Sequence, residues 1–145
     1  MQTFLPYNSF TDTARVLDYR RLGKQRIEAK QILSILLGET TSKAWTNHPA
    51  VKMWKGFEHA LAEYGVAVCK EWKARGFVDN QLPYFTARTL GGKYPGIVCS
   101  YSVPIWLGDE NFHRSHRSNL IRKNAEFYGK LWPNETPNQP YIWPS

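Results

Sequence analysis

Between residues 15 and 30 six basic side chains, Arg15, Arg20, Arg21, Lys24, Arg26 and Lys30, stand against two acids, Asp18 and Glu28. On a helix Arg21, Lys24 and Glu28 fall at i, i+3 and i+7 and share one face. One reading of that face is a cationic floor with an embedded carboxylate, able to grip phosphates while holding an acid or base in a strong field. The plainer reading is a solvated surface laced with ion pairs. Asp18 and Arg21 are spaced to pair, which would keep Asp18 ionised and make it a positioning group. Glu28 lies one turn beyond Lys24, where a carboxylate can manage the proton of an amine.

A second basic stretch carries His113, Arg114, His116, Arg117, Arg122 and Lys123 with no acid between Asn111 and Ala125. Ser115 and Ser118 add hydroxyls that suit phosphate oxygens. His113 and His116 could do general acid–base work in a nuclease. They could also begin a metal site, but two ligands without a nearby acid or thiol do not complete one, and no metal is expected. His48 precedes Pro49 at a helix start, where it can face a ligand or simply cap the helix. His59, beside Glu58 and Glu63, reads as structural.

The chain has 145 residues, a net charge of +7 and 14% aromatic side chains. Excess base suits a polyanion, because each cation that meets a phosphate releases counterions, and aromatics among the cations can stack on unpaired bases. No apolar run approaches the ~20 residues of a membrane helix, and MQTFLPYNSF lacks the basic start and apolar core of a secretory signal. Two cysteines make no disulfide framework, so a reducing, cytoplasmic setting is expected. Phosphate-binding loop, dinucleotide, zinc-protease and nucleophile-elbow motifs are absent from the sequence, which argues against nucleotide hydrolysis and redox cofactors; no cofactor is expected.

Three helical stretches would position these groups. The first runs from about Phe10 to Leu37, capped by Ser9 with Asp12 and stopped by Gly38, with a kink or break expected at Gly23. The second is a continuous rod from Val51 through Arg75. Its apolar residues, Val51, Trp54, Phe57, Leu61, Tyr64, Val68 and Trp72, recur at three- and four-residue steps, with Asn47 as cap and Gly76 as stop. The third starts at the N-cap Asp109 and ends near Lys123. Between them Asp79 to Gly108 has no clear period, apart from a possible strand at Ile97 to Val103, and the Pro- and Trp-rich tail from Trp132 should run extended with its rings on the body. The expected architecture is mainly α, one compact domain over residues 1–145, a helical bundle with long irregular connections.

The series Leu17-Asp18-Tyr19-Arg20-Arg21-Leu22-Gly23-Lys24-Gln25-Arg26, then Asn47-His48-Pro49, then Cys69-Lys70-Glu71-Trp72 with Arg75-Gly76-Phe77, resembles the pyrimidine-dimer DNA glycosylase family of phage-type endonuclease V. The segment from His116 through Lys123 to Tyr128-Gly129 is similar to that family's C-terminal helix and aromatic DNA-contacting segment. The resemblance implies an N-glycosylase with abasic-site lyase activity on damaged or modified pyrimidines in double-stranded DNA. It also implies a monomer in a bacterial or phage-infected cell. In that chemistry a backbone α-amine attacks C1′ of the nucleotide, the base departs, and a Schiff base permits strand cleavage. At pH 7 an α-amine is neutral about one-sixth of the time, an ordinary lysine about once in 2,500.

Two positions depart from the family. Gln2 stands where the family exposes a small residue, so Met1 is expected to be retained. Aligning Tyr19-Arg20 with the family's Tyr-Arg pair puts Arg21 at the place of its catalytic Glu. The amine is then Met1 or Lys24, and the acid Glu28 or Asp18. Arg20, Arg21, Arg26, His48, His113, His116, Arg117, Ser118 and Lys123 are the candidate DNA contacts. The competing functions are a non-cleaving module for distorted DNA and a His-dependent nuclease.

Overall fold

The computed structural model describes residues 1–40, 45–89 and 103–144. Ser9 opens α1 (Phe10–Val16), its hydroxyl accepting from the Asp12 N–H at 3.2 Å. The first expected helix then breaks, at Leu17 and Asp18 and not at Gly23. Leu17 is extended, and Asp18 caps a new helix, α2 (Tyr19–Leu36), by accepting from the Arg21 N–H. An acidic side chain that holds the free amides of a first turn starts a helix, whereas a glycine inside one costs only about 1 kcal/mol. Gly23 instead marks a close approach: a Cβ there would sit 3.0 Å from the Trp72 ring, so α2 lies tightly on the helix that carries Trp72. Gly38, at φ 71°, ends α2 as expected.

The rod expected from Val51 to Arg75 is two helices, α3 (Pro49–Lys52) and α4 (Glu58–Ala74). Between them successive i to i−3 bonds, such as Trp54 N–H to Val51 O and Phe57 N–H to Trp54 O, keep a near-helical spacing of apolar residues while tightening the backbone. Gly56, at φ 89°, takes the left-handed conformation between the two helices. That is why the apolar period survives a break it does not reveal. The cap is His48 and not Asn47.

Then follow α5 (Leu82–Thr86), α6 (Glu110–Lys123, capped by Asp109 as expected) and α7 (Ala125–Leu131). Among the described residues the fold is all helix and no strand; the strand expected at Ile97 to Val103 falls almost wholly outside them. No described helix is long and apolar enough to cross a membrane.

Helix α4 is the axis, with α1, α2 and α5 against it, α3 on α2, and α7 on α6. Leu22, Ile32, Leu33, Leu61, Tyr64, Val68, Phe85, Phe112 and Leu120 are fully or nearly fully buried in one core. The tail lies on the body as expected: Trp132 stacks on Tyr128 of α7 at 5.5 Å, and the Gln139 and Ile142 amides donate to Ser118 and Ser115 of α6.

The amino-terminal segment is threaded through this core in extended form, with Thr3 and Leu5 fully buried. An extended chain without a neighbouring strand must satisfy its backbone elsewhere. Here the partners are side chains: Glu28 for the Gln2 N–H, Gln25 for Gln2 O and the Phe4 N–H, Tyr64 for Phe4 O, His116 and His113 for Leu5, and Arg117 for Pro6 O.

Candidate functional site

A cleft of about 1110 Å³ opens where α1, the first turns of α2, the end of α4 and the α6–α7 corner meet the amino-terminal segment. Six cations line it, Arg15, Arg20, Arg21, Lys24, Arg75 and Lys123, with two carboxylates, Asp18 and Glu28, and with Phe4, Tyr19 and Phe127 as aromatic wall. The sequence elements that bring them together are the Asp18 cap, which turns the basic start of α2 outward, and Asn124, which caps α7 and sets Phe127 on the rim.

The two carboxylates differ. Asp18 Oδ1 accepts from Arg21 at 3.1 Å and makes a short hydrogen bond with the Tyr128 hydroxyl, while its own N–H donates back to that hydroxyl at 2.9 Å. Burial alone would raise its pKa, yet the hydrogen bonds from Tyr128 and Arg21 and the Arg21 charge hold it below the usual carboxylate range. Asp18 is thus an ionised, fully engaged cap. Glu28 is half-buried, and its Oε2 accepts from the Gln2 backbone N–H at 2.8 Å, across 26 positions of sequence. Met1 lines the same cleft. Lys24, exposed on the same wall, completes the set of Met1, Lys24, Glu28 and Asp18 that the sequence nominates as catalytic, and all four line this one cleft.

Of the nominated DNA contacts, Arg20, Arg21 and Lys123 line the cleft, and Arg20 and Lys123 are open to solvent. His48 is close enough to feel the amino-terminal charge and Glu28. Burial first, then the amino-terminal charge, lowers its pKa, with Glu28 opposing. Its Nδ1 accepts from the Ala50 N–H at 3.0 Å, so it is a neutral helix cap.

The other nominated contacts point inward. Arg26 is buried in an ion pair with Asp79 at 2.7 Å, its guanidinium over the Trp72 ring at 5.0 Å. His116 Nδ1 accepts from the Leu5 N–H at 3.0 Å. His113 Nδ1 donates to Leu5 O at 2.8 Å, and its Nε2 accepts from the Gly108 N–H at 2.8 Å. These bonds require neutral rings of opposite tautomer. Burial, then the neighbouring His113, drives His116 down to about 3, and burial likewise lowers His113. Arg117 donates to Pro6 O at 2.7 Å and pairs with Glu110 and Glu135. Ser118 is fully buried and accepts from the Gln139 N–H. Each of these side chains spends its polar atoms on the fold. The inward His113 and His116 leave a His-dependent nuclease without exposed histidines on α6.

Tyr128, the aromatic nominated by resemblance, is fully buried on Asp18, and its neighbour Phe127 holds the rim. Tyr19, Arg75 and Phe127 also line the cleft, and no sequence pattern marks them as site residues. For Phe127 the exposed side of a second short helix was the missing signal. Arg75 also closes the loop back to α1 by donating to Ala14 O and Arg15 O.

A helical body whose solvent-open cations surround a carboxylate at the start of the chain has the surface of a protein that handles a phosphodiester polymer. Residues 1–84 match the model of the family described as pyrimidine dimer DNA glycosylase, more than half of the 145 residues, and the chain belongs to that family. Membership places it among DNA-repair glycosylases. The matched span holds the whole cleft floor; only Lys123, Asn124 and Phe127 come from beyond it. Neither the curated proteins nor the solved structures give a match.

Proposed function

We propose that the protein excises damaged or modified pyrimidines from double-stranded DNA and cleaves the resulting abasic site, using an amine at the cleft as nucleophile and Glu28 as its proton partner. The observation that carries this is the Glu28 Oε2 to Gln2 N–H bond of 2.8 Å inside a cationic cleft, which sets the start of the chain against a carboxylate. Glu28 also offers an acid two helical turns beyond Arg21, on the same face of α2, where Arg21 stands at the place of the family's Glu.

The steps follow from the groups present. Arg20, Lys24 and Lys123 hold the backbone phosphates, and Tyr19 and Phe127 wall the displaced nucleotide. The neutral amine, from Met1 in preference to Lys24, adds to C1′ as the bond to the base breaks, and the base leaves with its electron pair. Glu28 takes one proton from the ammonium adduct and returns it to the ring oxygen as the C1′–O4′ bond breaks, which leaves a protonated imine. The imine then acidifies the 2′ hydrogen, whose loss expels the 3′ phosphate. Asp18, ionised and bonded on every side, positions Arg21 and takes no part in proton transfer.

Borohydride reduction in the presence of abasic-site DNA tests the reading. A covalent protein–DNA adduct on the amino-terminal peptide is expected. An adduct on the Lys24 peptide transfers the nucleophile's role to Lys24. Binding without any adduct leaves the non-cleaving module for distorted DNA as the function.

A further inference from the structure

Gln25 is fully buried in the middle of α2, among residues that otherwise form the apolar core. A buried carboxamide in such a place must have its atoms satisfied, and here it is the chain start that satisfies them. Its Nε2 donates to Gln2 O at 2.9 Å and its Oε1 accepts from the Phe4 N–H at 3.1 Å. The Tyr64 hydroxyl, within 2.5 Å of the same Oε1 and 2.9 Å of Phe4 O, fixes which way the amide faces. The pattern mimics a neighbouring β-strand, one residue wide, offering donor and acceptor to alternate positions of an extended segment. Further along, His116 and His113 take the Leu5 N–H and O in the same manner. Glu28, three residues beyond Gln25 on α2, takes the Gln2 N–H.

We propose that Gln25 is a positioning residue for the reaction: by bridging Gln2 and Phe4 it sets the register of the amino-terminal segment, and so holds the Gln2 N–H on Glu28 and the amine in the cleft. This rests on the function proposed above. A simple packing role would need only a side chain of this volume, whereas register needs a donor and an acceptor at fixed places. Loss of either lets residues 1 and 2 drift, and a displacement of about 1 Å at a reacting group costs on the order of 10²-fold in rate.

The test compares the wild-type chain with Gln25→Glu, which keeps the shape and loses the donor, and Gln25→Met, which loses both. Three quantities are read: the single-turnover rate of borohydride trapping on abasic-site DNA, the affinity for that DNA, and the melting temperature. The expected result is trapping slowed by roughly 10- to 100-fold at nearly unchanged affinity. The double variant Gln25→Met/Glu28→Gln should be no slower than Glu28→Gln alone, since both act through one contact. A variant that traps at the wild-type rate, a loss that merely follows melting, or a double variant showing the product of the two single losses would overturn the proposal. A wild-type chain that traps nothing removes the functional reading, and this inference with it. A reactive wild type with indifferent Gln25 variants removes this inference alone.

Discussion

Helices α2 and α6 read alike in sequence, each a run of cations with few acids, and they do different things. On α2 the first turns face solvent, and Arg20 and Lys24 stand open in the cleft. On α6 His113, His116, Arg117 and Ser118 are all buried and hold the amino-terminal segment and the tail. The difference lies in what each helix meets. The apolar side of α2 is filled by α4, which leaves Arg20 and Lys24 outward while Arg26 pairs with Asp79. The inner side of α6 meets exposed backbone, Leu5, Pro6 and Gln139, which only polar side chains can satisfy. Helix α6 therefore spends its polar side chains on unpaired backbone, whereas α2 does both, with Gln25 and Glu28 on the amino-terminal segment and Arg20 and Lys24 at the cleft.

The sharpest way to break that contrast is at Glu28, where the two systems meet through the chain start. Glu28→Gln should fold normally, bind abasic-site DNA at least as well, and lose on the order of 10²- to 10⁴-fold in turnover. Unchanged cleavage would move the search for the acid to Asp18. Next in size is Arg117→Ala. It strands Pro6 O and the buried side of Glu135, and should cost about 2–4 kcal/mol in denaturant melts while leaving the salt dependence of DNA binding untouched. A reduced salt slope in a stably folded variant would return α6 to the DNA surface.

The third concerns acid. His113 and His116 have depressed pKa values when folded, so the unfolded chain binds more protons once the pH drops below the ordinary histidine range. Their contribution is whole above pH ~6.5 and is lost as pH falls toward about 3, the value of His116. Stability should decline by up to about 1.4 kcal/mol per pH unit for each histidine. In a His116→Gln variant that folds, the decline between pH 6 and 4 should be shallower; an equal slope would show that other groups set it. The smallest effect is expected at Arg20→Ala, which should lower the salt slope of duplex binding by about one unit and leave the melting temperature essentially unchanged.

Much of this was legible in the sequence where the signal is local. Ser9, Asp109, Gly38 and Gly76 act over one helical turn, through amides and carbonyls within a few residues. The mainly helical class, the basic face of α2 and the tail lying on the body follow from period and composition. The family resemblance, too, lies in residues that can be read in order.

What tertiary structure alone decided is which polar groups face water. The sequence by itself set the charge, the caps and the presence of Glu28 on the face of Lys24. It did not place the amino-terminal segment against Gln25, Glu28, His113 and His116, because those contacts span 21 to 111 positions and depend on where an extended strand threads a helical core. A buried backbone demands hydrogen bonds from whatever lies alongside. Here that demand turned histidines and an arginine that resemble a DNA-binding face into supports for the start of the chain.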